Sequence, residues 1–303
     1  MTTALATVNQ NAIQPIVSLV TNAVTSPHTK RAYSRALTEF MTWHQATGQT
    51  GLNKATVAAH VAYLRDQGIS ASSIAQRLTA IRKLALEAAD NGLIDHAMAE
   101  AIGRVEGIRN EGKRLGNWLS KTQAQALLDA PDTTTVKGLR DRAILAVLLG
   151  CGLRREECAS LTFDHIQQRE GRWVIVDLVG KRNKLRSVPM PSWAKARLDD
   201  WAKELAIGAG PVFRPVRRGG HIQDGCMTSQ AIFDVVREYA SQVGVTVKPH
   251  DLRRTFAKLA HKGDAPLEQI QLSLGHASVQ TTERYLGVKQ DLTDAPCDVL
   301  GLR

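Results

Sequence analysis

Residues 173–190 of this 303-residue chain read WVIVDLVGKRNKLRSVPM, and their pattern differs from that of the sequence on either side. An apolar run, WVIVDLV, and a shorter alternating run, LRSVPM, flank the basic tetrapeptide KRNK at 181–184. Two such runs around a short polar segment are typical of a β-hairpin. Because helical periodicity surrounds the hairpin, the sequence predicts a mainly α-helical protein whose second domain is α+β and contains a small β-sheet.

The hairpin lies within a predicted domain over 118–286. Apolar residues recur there at the three- and four-residue spacing that is typical of amphipathic helices. The expected helices are 120–128, 138–150 and 154–161 before the hairpin, and 191–205, 228–243, 250–261, 267–274 and 278–286 after it.

The segment 26–102 has no strand pattern and is predicted to be a small all-helical domain. Its first helix begins at Ser26-Pro27, because serine can cap a helix and proline is tolerated in the first turn. Residues 1–25 are predicted to be a flexible lead-in, either without regular structure or with one short helix. The glycine-rich segment 103–117 is predicted to be a basic linker, which either contacts a ligand or is an ordinary solvated loop.

Composition narrows the class of protein. The chain has 39 Lys+Arg against 29 Asp+Glu, a formal net charge of +10, and this excess predicts a polyanionic partner, nucleic acid before membrane. The longest apolar run, 143–153, is 11 residues long, whereas a membrane span needs about 20. The first residues lack the basic start of a secretory signal, and the four cysteines form no C-x-x-C pair. We therefore expect a cytoplasmic protein without a membrane partner or a structural metal.

The positive charge is spread over both predicted domains. Residues 1–116 hold 12 basic and 8 acidic side chains, which leaves 27 and 21 for the rest of the chain. Both domains are thus expected to face the same polyanion, as in a clamp around a duplex.

Two pairs of residues in the second domain have helical spacing. Arg154 begins a predicted helix, and Glu157 stands three residues further on, so that both lie on one face. His250 and Arg253 share a face of another helix in the same way. An arginine oriented by a carboxylate can bind a phosphate through two parallel N–H bonds, although a surface ion pair has the same pattern.

Nine residues separate His276 from Tyr285, which would place them on opposite faces of an unbroken helix. Gly275 can end one helix and Ser278 can cap the next, which lets both side chains face one site. A buried histidine or a half-buried tyrosine would explain either residue alone. Two arginines, two histidines, a lysine and a tyrosine without clustered carboxylates together suit phosphoryl transfer, with arginines supplying the positive charge of a metal ion.

These segments resemble the tyrosine recombinases of the phage-integrase family, which includes the Xer and Cre recombinases. The resemblance covers 26–285. It rests on G-L-R-x-x-E at 152–157, G-K-x-N-K at 180–184, H-x-L-R-x-T-F-A at 250–257, and L-G-H-x-S followed by T-T-x-x-Y at 274–285. It implies a core-binding, SAM-like helical domain followed by a catalytic domain, and a site-specific DNA recombinase.

The resemblance implies that Tyr285 attacks a DNA phosphodiester, forms a 3′-phosphotyrosyl link and releases a 5′-hydroxyl. His250 would assist deprotonation of Tyr285, whose free pKa of about 10 makes it a weak nucleophile. Lys181 would protonate the leaving oxygen, and Lys184 is the competing candidate for that role. The bond energy stays in the covalent link, so neither ATP nor a metal cofactor is expected.

The other matched residues would act on the phosphate. Arg154, Arg253 and His276 would hold its non-bridging oxygens, with Glu157 in support. Further DNA contacts are expected from basic residues of the helical domain and of the hairpin tip, although a solvated surface explains each of them equally well. These residues are Arg31, Arg35, Arg77, Arg82, Lys83, Arg182 and Lys184.

The expected partner is double-stranded DNA with inverted half-sites, bound by a homotetramer in the nucleoid, with accessory proteins left open. The tail 287–303 either docks on a neighbouring protomer or is a frayed terminus. The expected role is service to a mobile element. The alternatives are Xer-type chromosome or cointegrate resolution, a type IB topoisomerase or telomere resolvase, and a DNA-binding regulator without catalytic activity.

Overall fold

The computed structural model of the chain describes residues 10–49, 51–108, 117–179 and 185–287. The chain folds as two compact units, 1–113 and 114–303, called unit 1 and unit 2 below. The described part of unit 1 contains helices only: α1 (Gln10–Asn22), α2 (Pro27–Ala46), α3 (Lys54–Asp66), α4 (Ala71–Asp90) and α5 (His96–Gly103).

Side-chain caps explain where three helices of unit 1 begin. The hydroxyl of Ser26 accepts a hydrogen bond from the backbone N–H of Thr29 before α2, as the sequence predicted. Asn53 and Ser70 cap α3 and α4 in the same way. Each cap satisfies one of the backbone donors that a helix leaves free in its first turn. The predicted all-helical character of this region is confirmed.

Helix α1 is the short helix that the sequence left open within the lead-in 1–25, and it packs against a core. Val20 is buried, and Val17 and Val24 pack against the same core. That core is formed chiefly by α4, through Ile74, Leu78 and neighbouring residues, against α2. The apolar residues of α1 recur at helical spacing, and burial of its valines against this core stabilises the helix.

Unit 2 combines helices with a small antiparallel sheet. The strands are β1 (Ile166–Arg169), β2 (Arg172–Val179) and β3 (Leu185–Pro189), in the order β1-β2-β3. The predicted hairpin strands are β2 and β3; β1 was not predicted. The helices are α6 (Lys121–Asp129), α7 (Val136–Cys151), α8 (Arg155–Ala159), α9 (Ser192–Leu205), α10 (Ser229–Gln242), α11 (Pro249–Lys262), α12 (Leu267–Leu274) and α13 (Val279–Leu286).

Helix α7 is the centre of the unit 2 core and is buried on every side over 143–148. It ends at Gly152, whose φ of +59° lies in the left-handed region. A Cβ atom there would lie 2.7 Å from the ring of Phe256 on α11, so only glycine fits. This close approach of α7 and α11 places Arg154, two residues further on, beside the residues of α11. No helix in the described part of the chain is long and apolar enough to cross a membrane.

Candidate active site

Tyr285 lies between two histidines in unit 2. Its hydroxyl group donates a hydrogen bond to the backbone carbonyl of His250 at 3.3 Å. The ring centroids of His250 and His276 lie 5.5 and 5.2 Å from that of Tyr285, both edge-on. The break between α12 and α13 produces this arrangement: Gly275 ends α12 with a φ of +60°, and Ser278 caps α13. The predicted convergence of His276 and Tyr285 is therefore present.

The two predicted arginines meet at one backbone carbonyl. Arg253 is almost fully buried and donates hydrogen bonds to the carbonyls of Gly152, at 2.5 Å, and Leu274. Arg154 donates to the same Leu274 carbonyl at 3.4 Å. Leu274 is the last residue of α12, where free carbonyls and the helix dipole favour positive charge. The end of this helix therefore offsets the mutual repulsion of two neighbouring cations.

Burial and, after it, the charge of Arg154 lower the pKa of Arg253 to about 9. The guanidinium group remains charged at neutral pH. Arg154 is more exposed, with 31% of its side chain accessible. The pair thus combines an almost fully buried cation, Arg253, with a more exposed one, Arg154.

Glu157 is buried and holds two arginines. It accepts hydrogen bonds from the backbone N–H and the guanidinium of Arg154, both at 2.7 Å. Arg186 of β3 binds both of its oxygens in a bidentate pair, also at 2.7 Å. Burial favours the neutral acid, but the hydrogen bonds from Arg186 and Arg154 outweigh it and lower the pKa of Glu157 to about 2. Glu157 is therefore an anion that fixes Arg154.

Sequence reasoning missed Arg186. Besides Glu157 it binds the carbonyl of Ser273 at 3.0 Å and so connects β3 to the end of α12. A Cβ atom on Gly275 would lie 2.8 Å from the Arg186 side chain, which shows how closely the strand and the turn approach. The only indication in the sequence was the position of this arginine in a short predicted strand, directly after the hairpin tip.

Both histidines of the site are neutral at neutral pH. Burial, followed by the charges of Arg253 and Arg154, lowers the pKa of His276 to about 4. Desolvation, Arg253 and Arg254 lower the pKa of His250. A neutral imidazole can accept a proton at one nitrogen and donate a hydrogen bond from the other.

Arg254 is a second residue that the sequence analysis did not select. Its guanidinium lies 4.8 Å from the ring centroid of Tyr285, in the position of a cation–π contact. Burial raises the pKa of Tyr285, and the charges of Arg253 and Arg254 oppose that rise. These cations therefore favour the phenolate that a nucleophilic tyrosine must form.

Three of the predicted DNA-contacting residues lie together in unit 1. Arg31, Arg35 and Arg77 line a cavity of about 420 Å³ between α2 and α4. Arg35 and Arg77 both bind the carboxylate of Glu39, at 2.7 and 2.9 Å. The hydrogen bonds from these two arginines outweigh the effect of burial and lower the pKa of Glu39.

The remaining predicted contacts are elsewhere. Arg82 donates a hydrogen bond to the carbonyl of Val105 at 2.5 Å, and Lys83 lies 5.8 Å from the ring centroid of Tyr33; neither lines the cavity. Lys181, Arg182 and Lys184 lie outside the described residues. No group of three or more potential metal ligands occurs among the residues that the structure describes.

Comparison with known proteins identifies the family. The family model described as the phage integrase family matches residues 117–291, and the model of the phage integrase N-terminal SAM-like domain matches 18–92. The tyrosine recombinase XerD of Pseudomonas aeruginosa is 32% identical over 267 residues, which cover 85% of this chain and 86% of the relative. The chain belongs to the phage integrase family of tyrosine recombinases.

Other recombinases match this chain over most of its length. The tyrosine recombinase XerC of Xylella fastidiosa strain M23 is 32% identical over 266 residues, 86% of either chain. A crystal structure of the XerH site-specific recombinase bound to a palindromic difH substrate matches 92% of this chain and 81% of its own, with a TM-score of 0.71 at 18% identity. A lambda integrase dimer bound to a COC′ core site matches 93% and 78%, also with a TM-score of 0.71, at 14% identity. These two structures share the fold of the recombinase.

The predicted fold class is thereby confirmed: an N-terminal SAM-like helical domain and a catalytic domain with a small sheet. As a member of this family, the protein is a site-specific recombinase that acts on DNA and catalyses strand cleavage and rejoining.

Proposed function

We propose that Tyr285 is the nucleophile of this recombinase. Its phenolic oxygen attacks the phosphorus atom of a DNA phosphodiester, the bond from phosphorus to the 5′-oxygen breaks, and a 3′-phosphotyrosyl link remains. The observation that supports this role is the position of Tyr285, with both histidines edge-on to its ring and Arg254 over its face. Rejoining is the reverse step, with the 5′-hydroxyl as the attacking group.

His250 takes the proton from the Tyr285 hydroxyl. A base is needed because the pKa of this buried phenol is raised above its usual range. The lowered pKa of His250 keeps its imidazole neutral and able to accept a proton. In the structure the Tyr285 hydroxyl donates to the backbone carbonyl of His250, and the centroids of the two rings lie 5.5 Å apart.

Arg154, Arg253 and His276 bind the non-bridging oxygens and stabilise the charge that develops on phosphorus. Positive charge fixed in advance, as by Glu157 and the Leu274 carbonyl, needs no rearrangement during the reaction. Removal of one such donor typically lowers the rate by about 10²–10³-fold. Lys181 remains the predicted acid for the leaving 5′-oxygen, with Lys184 as its alternative.

Replacement of the nucleophile tests this assignment. The Tyr285→Phe variant should bind a DNA half-site with unchanged affinity and form no covalent protein–DNA adduct, because the attacking oxygen is gone. The adduct is measured on a nicked half-site by denaturing electrophoresis. Tyr63→Phe, at an exposed tyrosine of unit 1, is the matched control and should react normally. An adduct formed by Tyr285→Phe at the normal rate would place the nucleophile elsewhere.

The assembly that we propose is a homotetramer on two DNA sites, each with inverted half-sites. Sedimentation of Tyr285→Phe with full-site DNA should show four protomers per two duplexes. A single protomer that relaxes supercoiled plasmid of any sequence would instead favour the topoisomerase alternative.

The biological role has two candidates. The sequence analysis favoured a mobile element, whereas the XerC and XerD relatives favour chromosome or cointegrate resolution at least as strongly. Trapping covalent adducts in cells and sequencing the attached DNA distinguishes them. Adducts at the ends of an element that carries the gene support the first role, and adducts at one fixed chromosomal site support the second.

A further inference from the structure

A buried hydroxyl group lies against one of the histidines of the site. Oγ1 of Thr282 is 3.0 Å from Nδ1 of His276. Thr282 is fully buried and stands on α13, one helical turn before Tyr285. Sequence analysis did not select Thr282, and none of the steps above requires its hydroxyl.

The available partners decide which of the two groups, the Thr282 hydroxyl or Nδ1 of His276, donates the hydrogen. Within the described part of the chain, Nδ1 of His276 is the only hydrogen-bond partner of the Thr282 hydroxyl. If Nδ1 carried the hydrogen and donated it, the hydroxyl hydrogen of Thr282 would be buried without an acceptor, which costs about 1–3 kcal/mol. If the hydroxyl donates to Nδ1, no buried donor is left unpaired. The second arrangement places the imidazole hydrogen on Nε2.

The backbone of His276 is already fixed, so the ring is what Thr282 can control. The N–H of His276 donates to the carbonyl of Gln271 at 3.1 Å, and the Gln271 side chain donates to the carbonyl of His276 at 3.2 Å. Rotation of the imidazole and the choice of its protonated nitrogen remain free. A partner on Nδ1 restricts both.

We propose that Thr282 is a positioning residue that donates its hydroxyl hydrogen to Nδ1 of His276 and holds this histidine as the Nε2–H tautomer. His276 then offers the substrate phosphate a neutral hydrogen-bond donor. The other tautomer would present a lone pair to an anionic oxygen and repel it. This inference rests on the proposed contact between His276 and the phosphate.

The kinetic test uses Thr282→Val, which keeps the shape of the side chain and removes the hydroxyl. We expect cleavage to slow by about 10–100-fold, by analogy with the loss of an outer hydrogen-bond partner of a metal-ligating histidine. Thr282→Ser should restore most of the rate because it keeps the donor. Thr281→Val is the matched control: this neighbouring threonine is exposed, its hydroxyl meets only Ser278 in the described structure, and the rate should change less than about twofold by the rule for surface sites.

A double-mutant cycle with His276→Ala separates positioning from folding. If Thr282 acts through the histidine, Thr282→Val should have little further effect once His276 is alanine. Thermal unfolding of each variant accounts for any loss of folded protein. An equal loss in both backgrounds would overturn the proposal, as would an unchanged rate in Thr282→Val.

Nitrogen NMR of the intact protein tests the tautomer without any reaction. In ¹⁵N-histidine-labelled protein, the signals of His276, assigned by their loss in His276→Ala, should show a protonated Nε2 and an unprotonated Nδ1. Thr282→Val should shift them toward a tautomer mixture. A protonated Nδ1 in the native protein would refute the inference even if Tyr285 proves to be the nucleophile. A failed Tyr285→Phe test would leave the tautomer result standing.

Discussion

Unit 1 and unit 2 each hold one glutamate between two arginines, but in very different surroundings. In unit 1 the side chain of Glu39 is 33% exposed and that of Arg35 is 78% exposed. In unit 2 the side chains of Glu157 and Arg186 are each only 8% exposed. The unit 1 cluster is Arg35–Glu39–Arg77, and the unit 2 cluster is Arg154–Glu157–Arg186.

The two clusters consist of the same types of side chain, and their different exposure implies different functions. Exposed ion pairs are screened by solvent and contribute about 0–1 kcal/mol, so Arg35 can turn to a phosphate at little cost, whereas the side chain of Arg77 is only 17% exposed. A buried pair that loses one partner leaves an uncompensated charge. The unit 2 cluster is therefore a rigid support for Arg154, whereas the unit 1 cluster is suited to adjust to DNA.

The largest expected effect comes from Glu157→Gln. Loss of the anion leaves two arginines close together without compensation, which should lower the free energy of unfolding by about 3 kcal/mol. Arg154 also loses its support, so covalent adduct formation should slow by about 10²-fold or more. Glu39→Gln is the counterpart in unit 1 and should cost less than about 1 kcal/mol. Equal destabilisation in urea unfolding would show that exposure does not distinguish the clusters.

The dependence of stability on pH tests whether Glu157 is as strongly held as its burial suggests. The pKa of Glu157 falls from 4.5 to about 2 on folding, so its contribution to stability is complete above about pH 4.5 and is lost as the pH falls toward 2. By linkage this amounts to about 3 kcal/mol. The pH dependence of unfolding should therefore become flatter across this window in Glu157→Gln than in the native protein. Parallel acid limbs in the two proteins would contradict the assignment.

The smallest expected effect concerns DNA binding by unit 1. Arg35→Ala and Arg77→Ala should each reduce the slope of log K against log salt concentration by about 1 if the arginine contacts a phosphate. Adduct formation at saturating DNA should stay normal. Arg65→Ala, at an exposed arginine of unit 1 that does not line the cavity and was not predicted to contact DNA, is the control, and fluorescence anisotropy at several salt concentrations is the measurement. Unchanged slopes in both arginine variants would restrict DNA contact to other surfaces.

The two clusters also show how far sequence reasoning reaches. The three-residue spacing predicted Arg154 and Glu157 as a pair, and in the structure Arg154 is the N-cap of α8, with Glu157 accepting a hydrogen bond from its backbone N–H. The contact of Arg186 with Glu157 joins residues 29 positions apart and depends on how β3 lies against α8, which no local pattern encodes. Arg254 and Thr282 were missed for the same reason, since their partners belong to other elements.

Two elements, one not predicted and one only left open by the sequence, depend on contacts with other parts of the chain. Strand β1 reads IQQR and has only one apolar residue. Backbone hydrogen bonds to β2 hold it in place, and these bonds depend little on the side chains. Helix α1 is stabilised by burial against α2 and α4 rather than by its own propensity. Helices with a continuous apolar stripe, such as α9, were predicted with nearly correct ends because burial and local pattern agree there.

The carbonyl of Leu274 accepts hydrogen bonds from both Arg253 and Arg154, and it belongs to the main chain. A substitution at Leu274 changes the side chain and leaves this oxygen in place. Alanine scanning would therefore record position 274 as a packing residue and miss the group that both arginines share. The same holds in evolution: a substitution at position 274 can change how α12 packs, but it cannot remove the backbone carbonyl that accepts these hydrogen bonds. One part of the recombinase site is thus inherited with the path of the backbone rather than with the identity of any residue.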